Sequence, residues 1–178
     1  KVRNEIPLEQ FKEEVMINDY IIRAVAKDKP MQYFRFPFNA IGKDSLEQTA
    51  RLNYLREKGY TSVPFTVESS DYMFDALYND ALRKNDKIKA REIADAYIKY
   101  TVQSFTYFEK LTEEVFDRPI PQIYLCHANQ LHSDYYDMLV NALEQIGYEF
   151  VTMEEAMKDK AYSTPVYYQQ QHGFSWLF

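Results

Sequence analysis

The sequence predicts an α/β fold organised on a parallel sheet. Three observations lead there. Short apolar or aromatic runs alternate with longer segments of helical periodicity. Two segments, Leu55-Arg-Glu-Lys-Gly59-Tyr60 and Leu143-Glu-Gln-Ile-Gly147-Tyr148, share one spacing that reads as a helix end, a left-handed glycine cap and a strand start. Polar side chains able to do chemistry follow directly on the apolar runs, as they do where parallel strands end.

From Pro7 to about Lys27, Leu8, Phe11, Val15, Ile22 and Val25 recur at helical spacing, with Pro7 suited to a first turn. Gln32 to Pro37 (QYFRFP) is short and aromatic-rich, and predicts a strand that runs into a loop at Asn39 and Gly42. Ser45 and Gln48 match a capping box, opening a helix that Gly59 closes, and Tyr60 to Val67 (YTSVPFTV) returns as a strand. Tyr72–Asp86 and Ile88–Phe116 predict two successive helices, the second long and amphipathic. Pro121–Cys126 (PQIYLC) predicts a strand, Tyr135–Ile146 a helix with Met138, Leu139, Ala142 and Leu143 on one face, and Glu149–Met153 a last strand. A four-stranded parallel sheet would leave two bare edges, so further strands are expected on the N-terminal side. The chain also begins at Lys1 rather than Met, which reads as a processed or trimmed product.

The 178 residues suit one domain, and a net charge of −6 disfavours nucleic-acid backbones, which demand a basic stripe. Four glycines, at Gly42, Gly59, Gly147 and Gly173, cannot write G-x-G-x-x-G or G-x-x-x-x-G-K-[ST], which excludes the usual nucleotide cradles. One cysteine, Cys126, excludes an internal disulfide and a multi-cysteine zinc site; it reads as a small buried hydrophobe. No run of about 18 apolar residues offers a membrane span.

Chemistry is expected at the strand ends. The first ends with Arg35 in Phe34-Arg35-Phe36-Pro37-Phe38-Asn39, the second runs into Glu68-Ser69-Ser70-Asp71-Tyr72, and the third ends at His127 in Leu125-Cys126-His127-Ala128-Asn129. An Arg, an Asp and a His on one rim would make an acid/base constellation; each is equally readable as a solvated or structurally paired loop residue. Glu68 and Asp71 as a glycosidase pair is disfavoured, because both lie on one short loop. His132 reads as solvated or a mild substrate contact. The crowded aromatics Tyr162, Tyr167, Tyr168, Phe174 and Trp176 read as packing or as a sugar platform.

Arg35-Phe36-Pro37-Phe38, Ser70-Asp71-Tyr72 and Leu125-Cys126-His127, in that order, resemble the third, fourth and fifth motifs of the polysaccharide deacetylases, carbohydrate esterase family 4 with the NodB homology domain. Tyr148-Glu149-Phe150-Val151-Thr152-Met153-Glu154-Glu155-Ala156 is similar to that family's closing segment. The resemblance implies a distorted, here incomplete, (β/α) barrel spanning residues 1–178 as a single domain without its N-terminal strands. It also implies metal-dependent removal of acetyl groups from an N-acetylated, or O-acetylated, polysaccharide by a secreted or cell-envelope (periplasmic) hydrolase.

In that likeness a divalent metal, usually zinc, activates water. Arg35 would position the catalytic base, the backbone N–H of Phe38 would help hold the oxyanion, and His127 would be the general acid, oriented by Asp71. Leu125 and Tyr72 would line the pocket for the acetyl methyl. Two positions depart from the family's pattern, which commonly has Tyr where Phe38 stands and Trp where Tyr72 stands. The family's Asp-Asp pair and His-x-x-x-His, which supply the base and metal ligands, are not written in the sequence, so this chain is expected to carry only part of the site and to be inactive alone. The alternative is a non-catalytic carbohydrate-binding or scaffolding protein derived from the same fold.

Overall fold

The computed structural model describes residues 6–27 and 31–164, and these fall into two compact units that meet in sequence at Pro64 and Phe65. The tail aromatics from Tyr167 onward lie outside the described residues.

In the first unit, α1 (Leu8–Ala26) turns Phe11 and Val15 inward. Ile22 and Val25, expected on the same apolar face, are instead exposed. Strand β1 (Tyr33–Phe34) leads through a 3-10 turn (Pro37–Asn39) to α2 (Ser45–Glu57), and β2 (Thr61–Ser62) pairs parallel to β1. Its core is aromatic. Phe11 stacks on Phe36 at 5.7 Å between ring centroids, Phe34 meets Phe36 edge-on at 5.1 Å, and Tyr54, Leu55 and Tyr60 close the cluster. The capping box sits one residue earlier than the sequence suggested: Asp44 accepts from the Glu47 amide at 2.8 Å, and Glu47 reaches back to the Lys43 amide.

The second unit consists of β3 (Val67–Glu68), α3 (Asp71–Arg83), α4 (Lys87–Phe116), β4 (Tyr124–Leu125), α5 (Gln130–Gln145), the short α6 (Met153–Ala156) and a 3-10 turn at Lys160–Ser163. Helices α3, α4 and α5 pack on one another. Ala90 and Ala94 let the helices approach closely, and Tyr78, Tyr97, Phe105, Phe108, Leu131, Leu139 and Leu143 fill the core. Strands β3 and β4 pair parallel, Val67 beside Tyr124 and Glu68 beside Leu125.

The expected deacetylase-type barrel is not formed. Of the described residues 65% are helical and 5% lie in strands, and the four two-residue strands make two separate parallel pairs. The physical reason lies in the runs themselves: QYFRFP, YTSVPFTV and PQIYLC each contain a proline (Pro37, Pro64, Pro121), which removes a ladder donor and stops the strand. The expected strand at Glu149–Met153 is also absent. Thr152 caps α6 there, its hydroxyl accepting from the Glu155 amide.

Both repeated segments end their helices in the left-handed glycine cap that the sequence predicts. Gly59 has φ +81° and Gly147 φ +98°. In each, the residue after the glycine donates to the carbonyl five residues back, Tyr60 to Leu55 and Tyr148 to Leu143, while the glycine donates to the carbonyl three back. Only the first joint delivers the chain into a strand.

Candidate active site

Strands β3 and β4, though two residues long, are parallel and so end at the same side, where Asp71 and His127 meet. Ser70 takes the left-handed conformation (φ 52°) and turns the chain into α3, with Asp71 as its first residue. Asp71 is 1% exposed, and burying a carboxylate demands donors. It has them: Oδ2 accepts from the His127 amide at 2.7 Å and from Asn129 Nδ2 at 3.1 Å, while Oδ1 lies 2.8 Å from His127 Nδ1. Because an ionised carboxylate only accepts, Nδ1 of His127 carries the proton in this contact. The free nitrogen is Nε2, on a side chain that is 54% exposed.

Around this pair runs a buried polar chain that the sequence reading did not anticipate. His132 is 7% exposed, not solvated. Its Nδ1 lies 2.6 Å from the main-chain carbonyl of His127 and 3.5 Å from Asp71 Oδ2, and its Nε2 lies 2.5 Å from the Tyr97 hydroxyl. Tyr97 meets the Tyr124 hydroxyl at 2.7 Å, and Tyr124 meets Ser69 Oγ at 2.6 Å. Burial holds the phenols of Tyr97 and Tyr124 above their ordinary range, so both remain protonated donors. The one available signal was Asn129: it caps α5 by accepting from the His132 amide at 2.9 Å, so the helix begins at Gln130 and places His132 in its first turn.

Glu68, half-buried at the end of β3, accepts from the Ser70 amide at 2.6 Å. Desolvation raises its pKa above the usual carboxylate range, with the nearby Asp71 charge adding to the effect. Asp71 accepts from His127 and Asn129 and lies three residues from Glu68 across the same short turn, whereas a glycosidase pair flanks a bond from opposite sides.

Of the other expected site residues, Tyr72 follows Asp71 and is exposed, and Leu125 lies on β4, partly buried, two residues before His127. Arg35 and Phe38 belong to the first unit, where Arg35 donates to the Pro64 carbonyl at 3.0 Å and Phe38, 69% exposed, holds φ 57° within the 3-10 turn. Cys126 is half-buried rather than fully enclosed.

The zinc implied by the resemblance has no fitting donor set here. Among the described residues no three His, Cys, Asp or Glu side chains are placed to hold a metal ion: where Asp71, His127 and His132 come together, both ring nitrogens of His132 are engaged and His127 Nδ1 is tied to Asp71. No helix among the described residues is long and apolar enough to cross a membrane. Comparison with protein-family models, with curated proteins and with solved structures finds no match to this chain.

Proposed function

We propose that Asp71 and His127 form the acid/base part of a hydrolytic site that removes acetyl groups from an N-acetylated, or O-acetylated, polysaccharide. The observation that carries this reading is the geometry of the pair: a buried carboxylate fixes Nδ1–H of an imidazole whose other nitrogen belongs to a half-exposed ring. When a tetrahedral intermediate of amide hydrolysis collapses, the departing sugar nitrogen must gain a proton, and an imidazolium Nε2–H delivers it. Asp71 keeps the ring in one orientation and balances its charge while protonated. The sugar class, and the secreted or envelope setting in which such polymers are met, rest on the resemblance of the three motifs and the closing segment. On the same ground Leu125 and Tyr72, which share the second unit with the pair, are assigned to receive the acetyl methyl.

The described residues do not form a metal site, so the water-activating part of such a centre is not assigned to them. The test is acetate release from N-acetylglucosamine oligomers, comparing this chain with a form extended upstream to include an Asp-Asp pair and a His-x-x-x-His. Release by the longer form alone is expected, and equal release by both overturns the assignment. Glycan binding with no release from either form would assign the chain instead to non-catalytic carbohydrate binding or scaffolding.

A further inference from the structure

The buried chain behind Asp71 has a direction, and the direction can be read from its end. A main-chain carbonyl cannot donate, so the 2.6 Å contact between His132 Nδ1 and the His127 carbonyl requires the proton to sit on Nδ1 of His132. In a neutral ring Nε2 is then an acceptor, and its 2.5 Å partner, the Tyr97 hydroxyl, must donate to it. With its single hydrogen spent, Tyr97 can only accept from Tyr124, and Tyr124 can only accept from Ser69. All hydroxyl protons therefore point the same way, from Ser69 through Tyr124 and Tyr97 to His132 and on to the backbone of His127. Chains of this kind polarise one another and strengthen each member bond.

We propose that His132 is a positioning residue for His127, fixed as the neutral Nδ1–H tautomer by the His127 carbonyl, with Tyr97 donating to its Nε2, and holding the His127 main chain so that its imidazole stays on Asp71. This rests on the Asp71–His127 pair as the reactive pair, but not on the identity of the substrate. His132 grips the segment from both ends. It donates to the His127 carbonyl from its side chain, while its own amide is capped by Asn129, which also donates to Asp71. Loss of the ring would free one carbonyl and leave Asp71 to hold the loop through Asn129 and the His127 amide alone.

Histidine nitrogen NMR on the full chain tests this. In the wild type His132 should show a protonated Nδ1 and a hydrogen-bonded, unprotonated Nε2, and the Nδ1–H of His127 should be protected from solvent exchange. His132→Asn, whose amide can donate to the same carbonyl, should keep that protection. His132→Phe should lose it, exchanging about tenfold faster, the change that corresponds to one hydrogen bond. A wild-type His132 protonated at Nε2, or His127 protection unchanged in His132→Phe, would overturn the proposal. If His132→Phe does not fold, Tyr97→Phe decides: the His132 Nε2 resonance should move to that of an unbonded nitrogen while the proton stays on Nδ1, and an unmoved resonance refutes the proposal. Acetate release is not needed for any of these readings, so their failure is separate from failure of the deacetylase assignment.

Discussion

Each unit buries one charged side chain almost completely, Arg51 in the first and Asp71 in the second, and the two are satisfied in opposite ways. The Arg51 guanidinium donates to the carbonyls of Ile6 and Ala40, pairs with Glu47 at 2.5 Å and lies over the Phe11 ring. Its partners are main chain and a carboxylate of its own helix, largely buried with it. Asp71 instead ends on a half-exposed imidazole. A buried charge answered within the fold holds the fold together, whereas one answered by a titratable ring that reaches water passes its influence outward. The difference separates a structural device from a candidate catalytic one without reference to any relative.

Breaking the first of these devices should have the largest effect on stability. Arg51→Ala strips Glu47 and two carbonyls of their donor and is expected to cost about 3–5 kcal/mol, read from urea unfolding. Next come the two matched glycine joints. A Cβ at Gly59 or Gly147 meets no atom within 4 Å, so Gly59→Ala and Gly147→Ala should each cost only the left-handed backbone penalty, about 1–2 kcal/mol, and by equal amounts in the two units. Unequal costs would mean that one joint carries a tertiary role beyond its turn.

A subtler effect is expected at Glu68. Burial raises its folded pKa above that of the unfolded chain, so the folded state holds its proton to higher pH. The Glu68 contribution is therefore favourable below the ordinary carboxylate range and is lost as pH rises through the raised folded value. Glu68→Gln keeps the acceptor for the Ser70 amide, and should flatten this part of the stability profile while making the protein relatively more stable at neutral pH. A profile unchanged by the substitution would show that Glu68 is solvated in the folded state.

Helices α1, α2 and α4 are legible nearly to the residue, and α3 except for its last turn, because 3.6-residue periodicity, a proline near the start of α1 and glycine after α2 are local signals. The sheet was not legible as built. Aromatic and β-branched residues in QYFRFP and YTSVPFTV signal extended chain, but Pro37 and Pro64 within those runs limit how much of it can pair, and so no barrel closes. The closing segment misled in the same way: Val151 and Phe150 suggest a strand, while Thr152 and Glu155 spell a helix cap. Asp71 and His127 could be placed together because residues following two parallel strands share one end, which needs only two residues of ladder on each. His132 is hidden because the apolar periodicity alone starts α5 at Tyr135, whereas the helix begins at Gln130. The cap at Asn129 is the signal for that earlier start, and it places His132 in the first turn beside Asp71.

At His127, whose ring is half exposed, the contrast between the two units is sharpest. His127→Ala removes one of three donors to Asp71 and should cost about 1–3 kcal/mol of unfolding stability, yet lower acetate release from N-acetylglucosamine oligomers about a hundredfold or more in any form, this chain or a longer one, that releases it. Measuring both quantities on that one variant tests the acid/base assignment most directly. A loss of activity far larger than the loss of stability is the predicted result, and activity within a few-fold of wild type would contradict it.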